Sequence, residues 1–145
     1  MYEGVWTMNN NELWFAELSG LILTHFKTRL KKLIPDGQFR KLKITTSNSD
    51  IAPTELPTIW LEEVSSMETG ENLDNTSINA VIETIQVTVF YNGQMKDVKR
   101  LMNASVLAMK QMRFGAVMTP IYTTSHEMKT GVARFRRLIG EGDSF

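Results

Sequence analysis

Two histidines and a run of acids through the middle of the chain are the residues whose chemistry needs weighing first. A general base must be held within hydrogen-bond reach of the proton it takes. His25 falls on the apolar stripe of a predicted helix, where a histidine is more often a satisfied core residue than a base. His126 falls in a predicted turn far downstream. Glu62 and Glu63 are adjacent on a predicted strand, so they face opposite sides of it and form no acid/base pair. Glu68, Glu71 and Asp74 would be candidates for a divalent cation, but they lack the regular Asp-x-Asn-x-Asn-Gly spacing and read as solvated. No nucleophile-elbow, P-loop, zinc-protease or dinucleotide-binding motif is present. The chain has no cysteine, which excludes disulfides and thiolate metal sites. The expectation is a protein that is not an enzyme and carries neither metal nor cofactor.

What does stand out is how the charge is arranged. From Ile44 to Met95 there is no lysine or arginine, yet eight acids occur: Asp50, Glu55, Glu62, Glu63, Glu68, Glu71, Asp74 and Glu83. All sixteen bases lie outside, between Lys27 and Lys43 or between Lys96 and Arg137, and the formal total is zero. Opposite potentials on different surfaces let copies of one protein attract each other head to side. The simpler alternative places the acids in solvated loops and the bases on solvated helix faces.

The elements that would position these groups follow from periodicity. Asn11 to Ile34 reads as a helix, with Leu18, Leu21, Ile22, His25, Phe26, Leu30 and Leu33 forming one stripe. Asn9 to Asn11 offer an N-cap, Glu12 and Glu17 suit the positive end, Lys31 and Lys32 suit the negative end, and Pro35-Asp36-Gly37 stops it. Phe39 to Thr46 reads as a strand, Ser47 to Pro57 as a loop, and Thr58 to Val64 as a second strand. Ser65 to Ser77 reads as a long acidic loop. Ile78 to Tyr91 alternates clearly, with the regular part expected to begin after Glu83. Gln94 to Met112 reads as a second helix whose buried face is Val98, Leu101, Met102, Ser105, Met109 and Met112. Two further strands, Phe114 to Thr123 and Thr130 to Ile139, flank a turn at Ser125 to Lys129. A short, flexible-looking tail ends in Phe145. The predicted fold is α+β in the order αβββαββ. A mostly antiparallel sheet carries both amphipathic helices on one face, within a single domain spanning residues 1–145.

Length and composition bound the function classes. At 145 residues, 42% hydrophobic and 22% charged, the chain suits one globular domain. No apolar run reaches the length of a membrane span, and no signal peptide is legible at the N-terminus, so no membrane partner is expected. Direct nucleic-acid binding fits poorly, because the balance is neutral and the acidic centre repels phosphate. Arg134 and Arg136 share one face of the last strand, while Ala133, Phe135 and Ile139 share the other. Such alternation suits a sheet with one polar or partner-facing side.

Several phrases of the sequence resemble a known family. Pro57-Thr-Ile-Trp-Leu-Glu-Glu-Val64 leads through the acidic segment to Asn75-Thr-Ser-Ile-Asn79 and then to Ile85-Gln-Val-Thr-Val89. Further on come Met109-Lys-Gln-Met-Arg-Phe114, Met118-Thr-Pro120 and Val132-Ala-Arg-Phe-Arg-Arg137. In type and order these resemble the tail terminator (tail completion, or head–tail joining) proteins of long-tailed bacteriophages, over roughly residues 55 to 140. The segment up to Thr46 fits in kind only, and Met1 to Met8 has no counterpart.

The resemblance implies a structural virion protein, assembled in the host cytoplasm and resident at the head-proximal end of the tail. It implies a homo-hexameric ring that caps the tail-tube protein, halts tube growth and presents a docking surface to the head connector or head-completion protein. DNA would pass through the channel without specific binding, and an acidic lining would keep phosphate off the wall. On that reading Glu68, Glu71, Asp74 and Asn75 contact the tube or line the channel. Arg134, Arg136 and Arg137 make inter-subunit contacts, with Glu62 or Glu63 of a neighbour accepting them as bidentate partners. An intrachain cross-strand pairing of the same arginines and acids is the alternative. At the level of the molecule, the alternatives are a head-completion ring of twelve-fold symmetry and a small non-viral binding module.

Overall fold

The computed structural model describes residues 17–35, 41–46, 57–71 and 78–145. Its elements are helix α1 (Leu18–Leu33), strands β1 (Lys43–Thr45), β2 (Thr58–Glu71) and β3 (Ile78–Tyr91), helix α2 (Met95–Gln111), and strands β4 (Gly115–Ser125) and β5 (Met128–Gly140). Over the described residues the fold is α+β, with two helices and one five-stranded mixed sheet in the order β1-β2-β3-β5-β4. β1 runs parallel to β2, and every other neighbouring pair is antiparallel.

Helix α1 forms because Leu18, Ile22, Phe26 and Leu30 repeat every four residues and are all buried. Lys31 and Lys32 lie in its last turn, where the helix dipole favours cations. Leu21 is 43% exposed and His25 only partly buried, so the stripe is narrower than the sequence suggests. The predicted first turns and the Asn9 to Asn11 cap lie outside the described residues.

Helix α2 buries Val98, Leu101, Met102, Ser105 and Met109, followed by Met112, as its periodicity requires. Buried Ser105 costs little, because its hydroxyl donates to Leu101 O at 2.8 Å. The helix closes with a Schellman motif, in which Phe114 N bonds Met109 O and Arg113 N bonds Lys110 O, both at 2.9 Å. Arg113 takes the left-handed position, φ 67°, that glycine usually occupies.

On the sheet, Ile59 and Leu61 of β2, Val81, Ile85, Val87 and Val89 of β3, and Ala133, Phe135 and Ile139 of β5 point to one side. They join the buried residues of both helices in a single core. Full burial of each large apolar side chain supplies roughly 1.5–3 kcal/mol. α2 packs against β3, β5, β4 and α1.

Four sequence expectations change. β2 does not end at Val64 but runs to Glu71, so the first part of the expected loop Ser65 to Ser77 is strand, and residues 72–77 lie outside the described residues. Glu68 and Glu71 therefore belong to a strand, opposite Val81 and Ile78. A bulge between Glu63 and Ser65 resets the alternation, which is why the second half lacks a legible strand pattern. β3 is regular through Glu83, which pairs with Ser66 on one side and Arg137 on the other. Of the expected first strand, Lys43–Thr45 is strand while Lys41, Leu42 and Thr46 are not, and Phe39 and Arg40 lie outside the described residues. The tail after Gly140 is held in place rather than loose, as described below.

Candidate functional site

β5 sets two arginines on the sheet face away from the core and one on the core side. Register places Glu62 opposite Gln86 and Gln86 opposite Arg134, so these three cross the sheet in one row. Arg134 Nε donates to Gln86 Oε1 at 2.8 Å, which makes a glutamine, not an acid, its intrachain partner. Arg136 stands one step along, opposite Thr84, which in turn faces Ser65. Both arginines are exposed. Around them the same face carries partly buried Trp60, Ile82 and Val132, with Leu138 at 60% and Ile121 at 52% exposure. Among the described residues this face carries no helix of its own core. A surface that mixes exposed aliphatics, an indole and guanidinium groups has the composition of a protein contact.

Of the expected inter-subunit residues, Glu62, Arg134 and Arg136 are thus brought together. Glu63 and Arg137 are not. Glu63 lies on the core side, exposed, at the rim of a hollow of about 210 Å³ lined also by Ser19, Ile22, Thr46, Leu61 and Ile85. Arg137 is only 6% exposed and its guanidinium is spent inside the chain. Nη1 donates to Met112 O and Nη2 to Ser144 O, each at 2.9 Å, with Asp143 Oδ2 at 3.7 Å and the Phe145 ring centroid 4.8 Å away. Burial lowers its pKa, Asp143 opposes that, and nearby Arg113 reinforces it. The parity of β5 carries this signal, since residue 137 has the same phase as Ala133, Phe135 and Ile139. Glu68 and Glu71 lie in β2, while Asp74 and Asn75 lie outside the described residues.

Reading by motif misses a second feature. Glu83 is fully buried on the core side of β3, with Ser66 and Glu63 as the polar neighbours of its carboxyl and no ion pair among the described residues. Burial pushes its carboxyl up to about 7. Ser66 opposes the shift, while neighbouring Glu63 adds to it. Arg137 is its cross-strand opposite, yet turns to the tail instead. The interruption of an otherwise apolar strand face by one acid is the signal in the sequence.

The tail itself is clasped. Arg29 of α1 donates to the main-chain oxygen of Phe145, whose ring lies 5.7 Å from that of His25. Gly140 N donates to Asp143 Oδ2 at 2.8 Å, and Asp143 N returns to Gly140 O at 3.1 Å. Comparison with known proteins finds no matching family and no matching curated sequence. The molecule is defined by its fold class, an α+β domain with a two-sided sheet, and by these two features of its surface and core.

Proposed function

We propose that this chain is a structural, non-enzymatic virion protein of the tail terminator type. It assembles into a hexameric ring that caps the tail tube, stops its polymerisation and offers the head connector a docking surface. In this reading both helices cover one face of the mostly antiparallel sheet, leaving the opposite face for subunit contacts. The observation that carries it is the row Glu62, Gln86, Arg134 with Arg136 beside it, set among exposed Leu138 and Ile121. The phrase-level resemblance across roughly residues 55 to 140 supplies the identity of the assembly. The acidic segment around Glu68, Glu71, Asp74 and Asn75 serves the tube or the channel wall, through which DNA passes unbound.

Mass and particle symmetry, measured at low and high salt, test this. A six-fold ring that falls apart in high salt is the expected result, because exposed charge pairs are screened. A twelve-fold ring would assign the protein to head completion instead. A monomer that stays a monomer when tail-tube protein is added would overturn the reading.

A further inference from the structure

Arg137 and Glu83 are direct cross-strand opposites on the core side of the sheet, and both are buried. Side chains so placed start about 4.5–5.5 Å apart at Cβ, well within reach of a guanidinium. A buried acid beside a buried arginine would ordinarily pair, since an unpaired buried carboxylate is costly. Here the Glu83 carboxyl has only Ser66 and another acid, Glu63, beside it, while Arg137 bonds Ser144 O, approaches Asp143 and lies against the Phe145 ring. Two acceptor sets compete for one guanidinium, and the tail holds it.

We propose that segment 141–145 is a displaceable strap, clamped by Arg137 in competition with Glu83, so that the arginine serves either the tail or the carboxylate but not both. When the strap is docked, Glu83 lacks a counter-ion and holds its proton up to about pH 7. When the strap lifts, Arg137 turns to Glu83, the carboxyl ionises and one proton leaves. Nη1 can keep Met112 O throughout, so only the Nη2 contacts need exchange. Lifting the strap also frees the Arg29 donor and the His25 ring face now occupied by Phe145.

The sign follows from linkage. The docked state carries the raised Glu83 carboxyl, at about 7, and so binds more protons than the lifted state. Low pH therefore favours docking, which weakens as pH rises from the ordinary carboxylate range towards that value and changes no further above it. The other charged groups around the pair are Glu63 on β2, Arg113 after α2, His25 and Arg29 on α1, and Asp143 in the strap; Ser66 on β2 is the neutral one. Glu83→Gln separates the contribution of Glu83 from that of every other group in this set.

The test is amide hydrogen exchange at Gly140 and Asp143 from about pH 5 to about pH 9, expressed as protection over the intrinsic rate at each pH. In the unmodified chain, protection should fall as pH rises towards about 7, by up to about tenfold per pH unit, the limit for one linked proton, and level off above it. In Glu83→Gln the same amides should stay protected across the range. Protection that is flat in the unmodified chain, or that falls equally in Glu83→Gln, overturns the proposal. A second variant guards against misfolding of the first. Phe145→Ala loosens the strap without touching the core strands, and the ¹³C-detected Glu83 titration should then move down towards the ordinary carboxylate range. An unchanged Glu83 midpoint in that variant also overturns it.

Discussion

At the scale of single residues, several side chains sit where their type is disfavoured, and each has an identifiable counterweight. Glu83 and Arg137 are buried ionisable groups on neighbouring strands, the carboxyl pushed up to about 7 chiefly by desolvation and the guanidinium satisfied by two carbonyl oxygens. Arg113 is disfavoured for a backbone reason. Its φ of 67° lies in the left-handed region, which costs a non-glycine residue about 1–2 kcal/mol. The Schellman bonds from Arg113 N and Phe114 N, together with burial of Phe114, hold it there. Glycine would relieve the steric cost while giving back part of the gain as unfolded-state entropy. Arg113→Gly should therefore raise stability by about 0.5–1 kcal/mol, read as a shift of the urea midpoint with unchanged slope. It also removes a positive charge near Arg137, which works in the same direction. A lower midpoint would mean that the Arg113 side chain makes a contribution larger than its backbone strain.

At the scale of elements, the β4–β5 hairpin offers a comparable test. Ser125 and Met128 pair directly, so His126 and Glu127 form a two-residue turn, with φ of 49° and 68°. Positive φ at both central positions is the type I′ arrangement, for which Asn-Gly is the favoured pair. Replacing His126 by Asn and Glu127 by Gly should stabilise the domain by about 1 kcal/mol, seen as a higher thermal midpoint, while a lower one would show a different turn in solution. The turn was legible only as a polar stretch from Ser125 to Lys129, because His-Glu carries none of the usual hairpin chemistry. Both helices were legible where apolar residues recur at three and four, and β3 was legible from Val87 and Val89 alternating with Gln86 and Thr88. β2 was half legible. Beyond the bulge at Glu63/Ser65 its residues are polar and out of phase, and only pairing with β3, a non-local interaction, makes them a strand. The parallel pairing of β1 with β2 and the clasp on Phe145 are non-local in the same sense. For the site, alternation alone separated Arg134 and Arg136 from the core face. The partners Gln86, Ser144 and Met112 required the register.

At the scale of the whole molecule, the segregation of charge along the sequence becomes a segregation in space that is less even than the sequence implies. Of the acids in the base-free centre, Glu83 is buried and contributes no surface potential while protonated, whereas Glu62 and Glu63 point to opposite faces of the sheet. Lys96, Lys99, Arg100 and Lys110 ride on the exposed side of α2, while Arg134 and Arg136 stand on the far face of the sheet. A ring built through that far face would use Arg136 more freely than Arg134, whose Nε is already engaged by Gln86. Exposed ion pairs are individually worth only about 0.2–1 kcal/mol. In a closed ring, however, every subunit repeats the contact at both sides, and reversing one charge turns each attraction into a repulsion. If the proposed ring forms, Arg136→Glu should consequently dissociate it at protein concentrations at which the unmodified chain stays assembled. The monomer should keep its circular dichroism and melting temperature, because Arg136 is exposed and supports no core residue. If the acceptor is Glu62 of a neighbour, adding Glu62→Arg to Arg136→Glu should restore assembly with the polarity of the pair exchanged. Assembly unaffected by Arg136→Glu at low concentration would remove the sheet face from the ring. Loss that Glu62→Arg fails to repair would keep the face but assign Arg136 a different acceptor, with Glu63 of a neighbour the next to test.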